Sequence, residues 1–157
     1  MNDFLCLAVM VLGGVAFLPN NSSLTAGYSP RTSPSEDEAT AVEESMHEFM
    51  EYVFQPTYLR LKQSMSAAPA DNKGWKAIKS DSLILAESCN LLYARAPEEH
   101  GEDWVRHTNG AKALGAKLYA AARAKDFEAA GAAYKSMLDN CNACHKQFEN
   151  GKHILQP

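Results

Sequence analysis

Apolar positions recur along this chain at helical rather than alternating spacing, in four stretches separated by polar or proline-containing segments. The first runs from Val42 through Met46, Phe49, Met50, Val53, Phe54, Thr57, Leu61 and Met65. Pro56 falls inside it and predicts a kink, because proline lacks a donor and crowds the preceding turn. Ala67 to Gly74, with Pro69 and Asp71-Asn72, reads as a loop. Trp75, Ile78, Ser82, Leu85, Cys89 and Leu92 then form a second stripe that should stop before Pro97, with Ala96 disfavoured as helical. After an acidic turn over Glu98 to Asp103, the third stripe is Trp104, Thr108, Ala111, Gly115, Leu118 and Ala122, whose small residues permit close approach. Asp126 is the expected N-cap of a fourth helix carrying Phe127, Ala130, Tyr134, Met137, Cys141, Cys144 with His145, and Phe148, and Gly151 ends it. Four such helices on short polar connections predict an all-α protein, an antiparallel four-helix bundle.

The N-terminus reads differently. Phe4 to Leu18 is an uncharged apolar run, short for a bilayer span and apt for a signal peptide or an uncleaved anchor. Residues 1–26 are therefore expected to be a signal peptide or N-terminal anchor, and the protein to be periplasmic or otherwise exported. Residues 27–35 hold two prolines and no apolar period, as a linker would. The bundle domain is expected over 36–157, with Ser35 as an N-cap and Glu36, Asp37 and Glu38 in the first turn.

Charge narrows the partners. The formal net charge is −4, and no block of Lys or Arg exceeds two adjacent positions, so nothing favours nucleic acid. Four cysteines are few for a disulfide scaffold of 157 residues.

Cysteine spacing carries the chemistry. Cys141-Asn142-Ala143-Cys144-His145 is the attachment signature of c-type haem, in which two thiols form thioethers with porphyrin vinyl groups and the imidazole binds iron. On a helix, separations of three and four residues put Cys141, Cys144 and His145 on one side, which is also the apolar stripe of the fourth helix. A thioredoxin-like pair would want a preceding strand, and a zinc site would want further ligands at finger-like spacing. One covalent haem c on Cys141 and Cys144, with His145 on iron, is the expectation.

With its motif on the last helix of an all-α chain behind an export segment, the sequence resembles the cytochrome c′ family, the class II cytochromes c. The similarity runs over about residues 36–152. It is most specific from Ala124-Lys125-Asp126-Phe127-Glu128 to Cys141-Asn142-Ala143-Cys144-His145-Lys146-Gln147-Phe148. The resemblance implies His145 as proximal ligand and a distal face supplied by helix one. Members with an empty sixth position bind small gases such as NO or CO, and members with a methionine there carry electrons. That methionine position falls on Met46, with Met50, His47 or an open site as alternatives. Val42 stands where many relatives have an arginine near the haem propionates. Family members often pair through helices one and two, which implies a homodimer.

The remaining residues have plainer expectations. His47 reads as a rim histidine, and His100, His107 and His153 as exposed. Cys89 reads as a buried inert thiol and the tryptophans as packing anchors. No nucleophile array, phosphate loop or carboxylate pair rises above chance, so no enzyme is expected. The leading expectation is a one-electron carrier serving redox partner proteins. A high-spin protein binding small gases is the alternative, and a peroxidase lacks a distal array of arginine with histidine.

Overall fold

A computed structural model of the chain describes residues 41–157. The expectations for 1–26, for 27–35 and for Ser35 to Glu38 lie outside the described residues. Every regular element among the described residues is helical, and four helices pack against one another.

Helix α1 is a continuous succession of three pieces: an α-helical turn Met46–Phe49, a π-helical segment Met50–Phe54 and an α-helical stretch Gln55–Ser64. It starts one turn later than the stripe suggested. Ser45 caps it, its hydroxyl accepting from the Glu48 N–H at 3.2 Å, while the Ser45 N–H donates to the Glu43 carboxylate at 2.7 Å. Val42 is fully exposed outside the helix and not on its apolar face. The Ser-x-x-Glu pattern of residues 45 to 48 is the local signal for this start.

The break expected at Pro56 appears as the wider π turn just upstream, where the Gln55 N–H reaches back five residues to the Met50 carbonyl. Pro56 then sits in the opening turn of the next stretch, where a missing N–H costs least. Widening the turn also brings positions five apart onto one side, and the rings of Phe49 and Phe54 meet edge-on at 5.6 Å.

Helix α2, Asn72–Ser88, begins inside the expected loop because Asp71 caps it, accepting from the Gly74 N–H at 2.8 Å. All six stripe residues from Trp75 to Leu92 are buried. The chain continues through 3-10 turns Cys89–Leu91 and Tyr93–Arg95 and leaves helical geometry at Ala96, the residue before Pro97. Helix α3, Gly101–Ala124, takes Glu102 and Asp103 into its first turn, where carboxylates complement the helix dipole. Helix α4, Phe127–Phe148, is capped by Asp126, which accepts from the Ala129 N–H at 2.9 Å.

Two apolar clusters hold the helices. One joins Leu61 of α1, Trp75, Ile78 and Leu85 of α2, Leu118 of α3 and Tyr134 and Met137 of α4. The other joins Phe49, Cys89, Leu92 and Trp104, with Met46, Met50, Cys144 and Phe148 packed against it. Both tryptophans are buried anchors, and the Trp104 Nε1–H also donates to the Leu92 carbonyl at 2.8 Å. Asp81 is buried, and its Oδ1 accepts from Arg60 Nε at 3.0 Å and Nη2 at 2.8 Å.

Packing is uneven around the ring of helices. Helices α1 and α2, α2 and α3, and α3 and α4 lie closely together, whereas the backbones of α1 and α4 stay farther apart and meet mainly through side chains of the first cluster. The space held open between α1 and α4 is the site described next. None of the described helices is long and apolar enough to cross a membrane.

Candidate functional site

A cavity of about 620 Å³ opens between α1 and α4, within the size range of small-molecule and cofactor pockets. Met46, Met50, Phe54 and Tyr58 of α1 form one wall. Met137, Cys141, Cys144 and His145 of α4 form the facing wall. Leu85, Cys89, Leu92 and Trp104 close its back, and the residues after α4 run along one edge.

Spacing on α4 brings both thiols and the imidazole to the same wall, as the helical repeat demands. Both sulfurs are free and half-buried. Burial, reinforced by the neighbouring Cys89 and Cys144, pushes the Cys141 thiol up to about 12. Burial, with Glu149 adding to it, pushes Cys144 up to about 11. Both groups are therefore thiols at neutral pH.

His145 is oriented by its own chain. Its Nδ1 lies 2.5 Å from the His153 carbonyl oxygen, and since a carbonyl only accepts, the proton is on Nδ1. In the neutral imidazole, Nε2 then keeps its lone pair, where a metal could bind.

Other sequence expectations divide. His47 is an exposed rim residue on the cavity, 3.3 Å from Glu51. With Glu48 it forms a group whose ligand atoms lie within 4.8 Å of one another, with both His47 and Glu51 exposed to solvent. His100 is exposed at φ 61° before α3. Cys89 is buried as expected, but it also borders the cavity, a placement that helical periodicity alone does not reveal.

His107 corrects its expectation of exposure: it is half-buried and lines the cavity. The cause is a polar chain across α3 and α4. Asp103 accepts from Gln147 Nε2 at 2.6 Å, which turns Gln147 Oε1 toward His107 Nε2 at 3.0 Å. That hydrogen bond from Gln147 holds the Asp103 carboxyl below the usual range, with Arg106 assisting. Asn140 adds a bond to the His107 carbonyl at 2.9 Å. His153 is exposed as expected, yet its main chain meets His145, a contact with no signature in spacing.

A group held here would be enclosed by apolar walls, anchored by two neutral thiols and ligated by one oriented imidazole, with thioethers of Met46 and Met50 opposite. Compared with known proteins, the chain matches no family model and no curated protein, so what this site holds rests on its own residues.

Proposed function

We propose that this protein is a monohaem c-type cytochrome, similar to the class II cytochromes c, that carries one electron at a time to and from redox partner proteins. The observation that carries the reading is the shared wall of Cys141, Cys144 and His145 on a cavity of about 620 Å³. Bound there, haem supplies a one-electron iron couple. Cys141 and Cys144 would add across the porphyrin vinyl groups as neutral thiols, each S–H hydrogen passing to the vinyl carbon, which needs no oxidant. His145 would ligate iron through Nε2, the nitrogen its bond to His153 leaves free. Met46, and after it Met50 or His47, are the candidates for the opposite side, and all three line the cavity. Lys152 on the cavity edge is a cation that could meet the acidic groups of the macrocycle.

An antiparallel bundle is supported by the pairing of helix ends. Lys125, after α3, donates to Asn72 at the start of α2 at 2.7 Å, and Gln147 near the end of α4 bonds Asp103 at the start of α3. Export belongs to the same reading, through residues 1–26. A chain lacking them should fail to acquire haem in bacteria that attach it outside the cytoplasm.

The direct test is acid-acetone extraction. Colour should stay with the denatured parent protein and leave with the solvent from a Cys141→Ser, Cys144→Ser double variant. Loss of colour from the parent overturns the proposal. The alternative, a high-spin haem protein binding NO or CO, is favoured if the ferrous parent binds CO without delay.

A further inference from the structure

The chain after α4 doubles back along the same helix and is tied down at several points. Asn150 and Gly151, both in left-handed conformation at φ 53° and 71°, make the reversal, and the Gly151 N–H donates to the His145 carbonyl at 3.0 Å. Asn142, the residue after the first cysteine of the motif, then engages Leu155 on both sides of its backbone. Its Nδ2–H donates to the Leu155 carbonyl at 3.0 Å, and its Oδ1 accepts the Leu155 N–H at 2.7 Å. Tyr58 of α1 does the same for Gln156: its hydroxyl donates to the carbonyl at 2.7 Å and accepts the N–H at 3.1 Å. Lys62 also donates to the Gln156 carbonyl, at 3.1 Å.

Between the reversal and these anchors lies His153, whose carbonyl accepts the Nδ1 proton of His145. Nothing else in the structure offers that nitrogen a hydrogen-bond partner among the described residues. The imidazole is therefore aimed by a strap, and the strap is fastened by a side chain from inside the motif.

Resting on the reading of His145 as the iron ligand, we infer that Asn142 is a positioning residue that sets the iron potential through the strap. By clamping Leu155 it keeps the His153 carbonyl on Nδ1 of His145. That bond fixes which nitrogen faces the iron and pulls the Nδ1 proton outward, making Nε2 a stronger electron donor. A stronger donor favours ferric iron, so the intact strap lowers the potential and a loosened one raises it.

The experiment uses the full-length haem-loaded protein, an Asn142→Ala variant, a chain ending at Lys152, and the two changes combined. Amide exchange at Leu155 should quicken about tenfold or more in Asn142→Ala, as expected for losing two hydrogen bonds. The potential should rise in Asn142→Ala and in the shortened chain, and the combination should rise no further than the shortened chain alone. Exchange that quickens while the potential stays put overturns the inference, because a merely structural tie would behave that way. If Asn142→Ala does not fold, the shortened chain decides, and an unmoved potential there overturns it. Nitrogen NMR of His145 separates this from the functional reading. A protein that never carries haem overturns that reading, yet its His145 should still hold the proton on Nδ1. A proton on Nε2 overturns the strap.

Discussion

Gly115 of α3 faces Ala86 of α2 so closely that a Cβ on Gly115 would lie 3.0 Å from the Ala86 Cβ and 3.2 Å from its Cα. The contact sits where α2 and α3 come together, beside the buried Leu85 that closes the back of the cavity.

Gly115→Val should cost about 1–3 kcal/mol, since the added carbons crowd both the Cβ and the backbone of Ala86 on the facing helix. Gly131, in α4 with open space around it, is the control: Gly131→Ala should gain up to about 1 kcal/mol from helix propensity alone. Urea unfolding of both variants checks the pair. Equal effects at the two glycines would show that packing at Gly115 is looser than the structure has it.

At the cavity, Met46→Ala should convert a low-spin spectrum to high-spin and confer CO binding on the ferrous protein. Met46 begins α1 and packs against the cluster of Phe49, Cys89, Leu92 and Trp104 without leaving the cavity wall. Met50, where the π segment begins, is the runner-up. A Met46→Ala spectrum identical to the parent, with Met50→Ala or His47→Ala turning high-spin, moves the ligand and keeps the carrier.

Alkaline pH should expose the buried thiol of Cys89. Burial lifts it from 9.0 to about 11, with Lys112 opposing in part. Above pH 9 the unfolded chain gives up this proton while the folded chain retains it until about 11. Its contribution to stability is thus whole below pH 9 and lost as pH climbs through 11. A Cys89→Ser variant, able to keep the bond to the Leu85 carbonyl, should lose less stability than the parent between pH 8 and pH 11. Equal losses in chemical denaturation at the two pH values would refute it.

Tyr134 is 4% exposed, and its hydroxyl has no hydrogen-bond partner among the described residues. Burial, helped by Tyr58, pushes it up to about 12. Removing an unpaired buried hydroxyl releases its desolvation cost. Tyr134→Phe should accordingly be neutral or stabilising by about 1 kcal/mol in thermal unfolding. A loss of that size would mean that the hydroxyl has a partner, such as a buried water.

Apart from where α1 and α2 begin, the helices and the face each one buries are legible in the sequence. Repeats of three and four residues from Trp75 to Leu92 and from Phe127 to Tyr134 are local, and backbone geometry alone turns them into stripes. The cluster of Cys141, Cys144 and His145 was legible for the same reason, being confined to five residues of one helix. Val42 continues the apolar spacing yet lies outside α1, because the Ser45 cap starts the helix only at Met46. Tertiary structure decided the rest. The gap between α1 and α4, the arrival of Cys89 and His107 at its walls, and the strap from His153 to Gln156 all join residues distant in sequence or outside any repeat. Such contacts form only when helices dock, and no spacing within a single helix records them.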